Sequence, residues 1–197
     1  MKPVRVLTWS DAAGADAALV QECVGGDEAA CARLVTDHQR MVYQLGLHLL
    51  GDSQEALDLC QEVFLRVFRM LHQFRGQSSL RTWIYRIALN QASNRLRTWR
   101  RRHRSQQVSL DDAPQGQLPD GQPSSSPDRV LQQREVAGRV WTALDALPFD
   151  QRAVIVLREI DGLSYDEIAQ SLDVAVGTVK SRLARAREQL RQTLRSL

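Results

Sequence analysis

The chain has 197 residues and a mass of 22.3 kDa, with 43% hydrophobic and 25% charged side chains. This is the composition of a soluble globular protein long enough for one large domain or two small ones. No apolar run approaches the ~20 residues that span a bilayer, and the N-terminus lacks a signal-peptide core, so a cytoplasmic protein without stable membrane insertion is expected. The net charge of +3 hides a division along the chain: residues 1–65 carry 4 basic and 10 acidic groups, whereas residues 66–104 carry 11 Arg and no Asp or Glu.

In chain order, residues 1–16 read as an N-terminal tail, with Asp16 placed to cap a short helix that Gly25-Gly26 ends. Asp27 opens a longer helix with apolar positions at Leu34, Val35, Val42, Leu45 and Leu49, stopped at Gly51. Asp52-Ser53-Gln54-Glu55 has capping-box spacing and starts a helix through Leu59, Val63, Phe64, Val67 and Leu71. Ser78 or Ser79 caps the next, which puts Leu80, Trp83, Ile84, Ile87, Ala88 and Leu96 on one stripe. No segment alternates with period two, so residues 17–104 predict an all-α bundle with its basic block on the last helix.

Residues 105–134 hold four of the six prolines together with Gly116, Gly121 and Ser124–Ser126. Such a stretch cannot bury enough apolar surface to order itself, and it reads as a flexible linker, assigned to 105–129. The second unit, 130–197, begins with a helix from about Pro127 to Ala146 that Pro148 ends. Asp150 is placed to cap a helix through Val154, Leu157 and Ile160, with Gly162 as its stop. Ser164-Tyr165-Asp166-Glu167 is another capping box, opening a short helix to Leu172. Asp173-Val174-Ala175 then separates it from a basic helix starting near Val176, which is a helix-turn-helix pattern. On that last helix Val179, Leu183, Ala186, Leu190 and Leu194 share a packing sector, and Thr178, Ser181, Arg182 and Arg185 share a polar one about 100° wide. The polar sector offers donors suited to base edges and phosphates.

Chemistry narrows the function class. Of the 26 basic residues 24 are Arg, suited to bidentate phosphate and base contacts. Between Phe74 and Arg104 the aromatics Phe74, Trp83, Tyr85 and Trp99 are interleaved with Arg, the combination that holds an unpaired strand by charge and stacking. Tyr85, Arg86 and Asn90 lie off the apolar stripe, whereas Trp83 lies on it and competes for a place in the core. Arg75-Gly76-Gln77-Ser78-Ser79 reads as a short polar loop suited to an extruded base. Asp58, Gln61 and Glu62 project acidic and amide groups beside an apolar face, which is either an ordinary solvated face or, because its acid repels DNA, a contact for a protein partner. Cys23, Cys31 and Cys60 lack Cys-x-x-Cys spacing and read as reduced thiols. The four histidines form no ligand pair, so neither metal nor cofactor is expected.

At this point the residues resemble bacterial sigma factors. Glu55-Ala56-Leu57-Asp58-Leu59-Cys60-Gln61-Glu62-Val63-Phe64 is similar to the core-binding motif of region two. Phe74-Arg75-Gly76 followed by Thr82-Trp83-Ile84-Tyr85-Arg86-Ile87-Ala88-Leu89-Asn90 is similar to the promoter-melting segment. Asp161-Gly162-Leu163-Ser164-Tyr165-Asp166-Glu167-Ile168-Ala169 and Val176-Gly177-Thr178-Val179-Lys180-Ser181-Arg182 resemble region four. Their order and the intervening linker match the extracytoplasmic-function (ECF), sigma-E-like subfamily.

The resemblance implies a non-enzymatic subunit that binds RNA polymerase core and directs initiation at stress-response promoters. Asp58, Gln61, Glu62 and Phe64 would contact the beta-prime coiled coil of the core, and the beta flap would be a further contact. Phe74, Arg75, Gly76, Ser78, Trp83, Tyr85, Arg86 and Asn90 would read and melt the minus-ten element of promoter DNA, duplex and then single-stranded. Thr178, Lys180, Ser181, Arg182 and Arg185 would read the minus-thirty-five element. It also implies an anti-sigma factor, through which the chain could be held at a membrane. An ordinary helix-turn-helix regulator would explain only the second basic block. A DNA enzyme such as a recombinase would need a catalytic cluster that the carboxylate-free first block lacks.

Overall fold

The computed structural model describes residues 9–105 and 138–196, all helices and turns. The tail before Trp9, the expected linker and the start of the helix expected from Pro127 lie outside the described residues. The first unit holds α1 (Trp9–Val24), α2 (Glu28–Leu50), α3 (Ser53–Met70), a 3-10 turn (Leu71–Gln73) and α4 (Leu80–Ser105). The second holds α5 (138–145), α6 (Phe149–Ile155) running into a π-helical turn (Val156–Ile160), α7 (Tyr165–Leu172) and α8 (Val176–Ser196). Part of the expected tail is therefore helical: α1 starts ahead of residue 17 and packs on α2.

Local chemistry sets most boundaries. The Asp27 carboxylate accepts from the Ala29 and Ala30 N–H groups at 2.8 and 3.1 Å, satisfying two orphan donors at the start of α2. Gly51, with φ +76°, closes α2 by donating to the Leu47 carbonyl at 2.9 Å. At the start of α3 half of the expected capping box forms: Asp52 accepts from the Glu55 N–H at 2.8 Å, while the Glu55 carboxylate turns to Arg95. Ser79, rather than Ser78, takes the bond from the Thr82 N–H at the start of α4.

Two expected caps are used elsewhere. Asp16 sits inside α1 and accepts from the Leu80 N–H at 2.8 Å, so it caps α4 across the bundle. Asp150 makes no cap bond, because Pro148 occupies the N-cap of α6, and its carboxylate pairs with Arg182 at 2.8 Å.

Leu34, Leu45, Leu59, Val63, Val67, Leu80, Ile84 and Ala88 fill the first unit, and Val154, Leu157, Ile168, Val179, Leu183 and Ala186 the second. α2 and α3 approach closely at Gly46, where a Cβ would stand 3.1 Å from Leu59 Cδ2 and 3.3 Å from the Ala56 Cα.

The sequence predicts two readers at no fixed spacing. In the structure the second unit packs on the first, α7 lying against α4, and the buried apolar residues of both form one continuous cluster. Arg152, almost fully buried, donates to the Leu49 carbonyl at the end of α2 at 2.9 Å and to the Asp145 carbonyl at 2.6 Å. The His48 and Trp141 rings stack with centroids 5.1 Å apart and planes 12° from parallel. These contacts lock the end of α2 to α5 and α6.

Candidate nucleic-acid interface

The loop between the 3-10 turn and α4 builds the first candidate surface. Gly76 adopts φ +67°, a left-handed conformation that turns the chain sharply between Arg75 and Gln77. Phe74 and Trp83 meet edge to face with centroids 5.6 Å apart. This leaves both rings half-buried beside an open cavity of about 430 Å³, which Arg75, Gln77, Ser78 and Arg86 also line. That volume falls in the roughly 300–1,000 Å³ range of small-ligand clefts. Of the residues expected to hold the minus-ten strand, the structure thus brings Phe74, Arg75, Ser78, Trp83 and Arg86 around one hollow, with Gly76 as their hinge. Asn90 is exposed further along α4. Trp83 packs partly against the core and partly lines the cavity.

Tyr85 departs from expectation. It is 0% exposed, and Arg81 donates to its hydroxyl at 3.3 Å. Burial, reinforced by the nearby Asp161 carboxylate, pushes its phenol up to about 12. The position lies off the apolar stripe of α4, as its spacing says, but the second unit covers that side. Arg86 is partly engaged by the same unit, 3.4 Å from the Asp173 carboxylate. Trp99 is exposed.

On α3, Asp58 is half-buried and accepts from the Gln54 side chain at 3.3 Å, while Gln61 and Glu62 are exposed. Glu62 and Glu55 grip Arg95 of α4 at 2.7 and 2.6 Å. Burial opposes the Arg95 charge, yet these two carboxylates outweigh it and hold its pKa above the ordinary value. Phe64 is 7% exposed and packs inside, which removes it from the outer face. Sequence reasoning passed over Leu57, Leu65 and Phe68, all exposed. At 100° per residue they fall with Gln61 within about 80°, and this second apolar sector was readable as large apolar groups outside the core stripe.

The second surface is the outer face of α8. The Ser164 capping box is complete: its hydroxyl accepts from the Glu167 N–H at 3.2 Å and its N–H donates to the Glu167 carboxylate at 2.8 Å. Asp173, at φ +55°, ends α7 in the left-handed region and sends the chain into α8. Lys180, Ser181 and Arg185 are exposed, Thr178 is half-buried, and the Lys180 ammonium stands 5.9 Å from the Tyr165 ring. Arg182 is instead drawn toward α6 by Asp150, orienting α8 on its neighbour. Glu159 holds Arg187 at 2.6 Å and its hydrogen bond raises the pKa of that guanidinium. An apolar groove of about 850 Å³ runs between α5, the π-helical turn and α8, lined by Val140, Ile160, Leu190 and Leu194.

Among the described residues no group of three or more His, Cys, Asp or Glu could hold a metal ion, and no helix is long and apolar enough to cross a membrane. Cys23, Cys31 and Cys60 are free thiols.

Residues 34–103 match the Sigma-70 region 2 family and residues 137–190 match Sigma-70, region 4. The chain is 38% identical over 186 residues to the RNA polymerase sigma-H factor of Pseudomonas aeruginosa, covering 92% of this chain and 95% of that protein. It is 40% identical over 177 residues to the ECF RNA polymerase sigma-E factor of Escherichia coli K12, covering 88% and 91% respectively. Among solved structures, CnrH in complex with the cytosolic domain of CnrY is similar at 26% identity and a TM-score of 0.67, over 92% of this chain and 98% of that one. The sigma factor RpoE of Bartonella quintana, in complex with the anti-sigma factor NepR, shares the fold at 24% identity with a TM-score of 0.67, over 83% and 96%. The chain therefore belongs to the sigma-70 family, as an ECF, sigma-E-like sigma factor of promoter-specific transcription initiation.

Proposed function

We propose that this sigma factor divides its work among three surfaces and catalyses no reaction itself. The outer face of α3, with Asp58, Gln61, Glu62 and the exposed Leu57, Leu65 and Phe68, docks the beta-prime coiled coil of core polymerase. An acidic rim around an apolar centre suits a protein partner and is unsuited to DNA. The loop Phe74–Ser78 takes an extruded base of the minus-ten strand, while Trp83 stacks and Arg86 and Asn90 grip the strand beyond it. A stacked base recovers roughly 1–3 kcal/mol, offsetting part of what it loses on leaving the duplex. Lys180, Ser181 and Arg185, with Thr178, read the minus-thirty-five element in the major groove, and Arg182 positions α8 through Asp150. The groove between α5 and α8 takes an apolar segment of the core, the beta flap.

The observation that carries this reading is the hollow bounded by Phe74, Ser78, Trp83 and Arg86 at the head of a helix whose neighbour α3 presents acid and apolar groups. A duplex-only regulator has no use for that arrangement. CnrH, 26% identical to this chain, is bound by the cytosolic domain of CnrY. That supports a regulatory protein partner here too, an anti-sigma factor, acting on a cytoplasmic pool of this chain. The test is reconstitution: purified chain, core polymerase and a template carrying promoters selected from a random library. Transcripts that start at selected sites and require the chain are expected. Duplex binding indifferent to core, with no initiation, would favour an ordinary helix-turn-helix regulator.

A further inference from the structure

The loop that bounds the base-sized hollow has little structure of its own. Residues 75–77 are exposed, and no backbone hydrogen bond ties residues 75–78 to the rest of the described chain. Its shape is therefore set at its two ends. At the entrance the Phe74 N–H donates to the Leu71 carbonyl at 3.0 Å, and α1 packs against the 3-10 turn that holds Leu71. At the exit two orphan donors of the first turn of α4 find acceptors. The Thr82 N–H donates to Ser79 Oγ at 3.1 Å, a local bond. The Leu80 N–H donates to Asp16 Oδ2 at 2.8 Å, across 64 positions of sequence.

Asp16 occupies a place that its residue type disfavours. It stands on the same side of α1 as the buried Leu19, Val20 and Cys23, where a carboxylate without a donor would be desolvated and uncompensated. The Leu80 N–H supplies that donor, and the N-terminal end of α4 favours the negative charge. α1 thus braces both ends of the loop, although the Sigma-70 region 2 match begins at residue 34 and leaves α1 outside it.

We propose that Asp16 is a positioning residue for minus-ten recognition: its bond to Leu80 fixes the exit of the loop and so sets how firmly the hollow holds an extruded base. The inference rests on the reading of that loop as the base-holding one. With the bond gone, Ser79 still caps α4, so the helix persists while the loop samples more arrangements. Only the fraction in the holding form then binds the base. Loss of a cap lowers that fraction by about threefold to tenfold.

The experiment uses holoenzyme and a selected promoter made as a fork, duplex through the minus-thirty-five element and single-stranded across the minus-ten bases. An abasic scan of that strand, read by anisotropy, gives the contribution of each base to affinity. The base held by the loop is the one whose abasic penalty is present with the parent chain and lost with Phe74→Ala/Ser78→Ala. With Asp16→Ala the penalty at that base should shrink by about threefold to tenfold, while penalties at the other positions stay within about twofold. Asp16→Asn keeps an oxygen for the Leu80 N–H without the charge, and it should restore most of the penalty. An unchanged penalty at that base overturns the proposal. So does an equal fall on every template, the mark of a general loss of folding, and so does a failure of Asp16→Asn to restore the penalty, the mark of a charge effect. A parent chain with no base that meets the Phe74 and Ser78 criterion overturns the reading of the loop itself, and the proposal with it.

A second route covers an Asp16→Ala chain that fails to fold. Leucic acid, the hydroxy analogue of leucine, placed at position 80 by nonsense suppression replaces the N–H with an ester oxygen and leaves Asp16 and its charge in place. It should lower the penalty at the same base, and an unchanged penalty also overturns the proposal.

Discussion

Replacing Arg152 by Met tests whether one side chain couples the two units. Its guanidinium donates to the Leu49 carbonyl at 2.9 Å and to the Asp145 carbonyl at 2.6 Å, with a longer contact of 3.4 Å to the Leu147 carbonyl. A hydrogen bond from a charged donor contributes about 1.5–3 kcal/mol. Met fills much of the volume and offers no donor, so the buried Leu49 carbonyl loses its partner outright and the part-buried Asp145 carbonyl recovers water only partly. The Asp145 carboxylate is 73% exposed and rehydrates at little cost. The net loss is therefore about 3 kcal/mol, which in a chain of this size lowers Tm by roughly 6–12 °C. Urea titration followed by tryptophan fluorescence should show the loss, because Trp141 lies on the same junction. Asp145→Asn is the control and should cost less than about 0.5 kcal/mol. If Arg152→Met costs under 1 kcal/mol, the junction is not held by this residue and the coupling drawn from its geometry is wrong.

Further outcomes follow from single contacts. Ser164→Ala removes the cap of the eight-residue α7 and should destabilise the second unit by about 1 kcal/mol, read as a shift in urea midpoint at constant slope. Arg185→Ala should weaken upstream-duplex binding by about 1–3 kcal/mol if it reads a base edge. Asp150→Asn should act on the same binding only through Arg182, so the double variant Asp150→Asn/Arg182→Ala should cost no more than Arg182→Ala alone. Packing of the units should also respond to pH through Asp161, which faces Tyr85, His48 and Arg81 and whose carboxyl is held above the ordinary 3.8, first by burial. The packed state then binds this proton more tightly than the separated one. The resulting stabilisation is complete below the ordinary value and is lost as pH rises through the raised one. Scattering across that acidic window, with Asp161→Asn as the insensitive comparison, checks the sign.

Much of this architecture was legible because it is written locally. Asp27, Gly51, Ser164, Asp173 and the apolar stripes act within a turn or two of their own positions, and their elements lie where the spacing puts them. The errors all involve partners distant in sequence. Asp16 and Asp150 are good capping residues, but each serves a group that only the tertiary fold delivers, Leu80 and Arg182. Tyr85 was assigned to solvent because periodicity describes one packing face, whereas α4 has two neighbours and the second arrives from more than 70 residues away. Phe64 has the right residue type for a partner surface, and its place on the inner face of α3 decides otherwise. The exposed Leu57, Leu65 and Phe68 went unread for the complementary reason, since an apolar residue on a helix is assigned to the core until packing shows it outside.

The account stands on the claim that Trp83 and Asn90 hold DNA strands apart once core polymerase is bound. Permanganate reactivity of minus-ten thymines measures this directly, using holoenzyme on a selected promoter with the parent chain and with Trp83→Ala/Asn90→Ala. The account predicts reactive thymines with the parent. With the variant it predicts unreactive ones, although holoenzyme still assembles and still binds the duplex. Equal thymine reactivity in the two would contradict it.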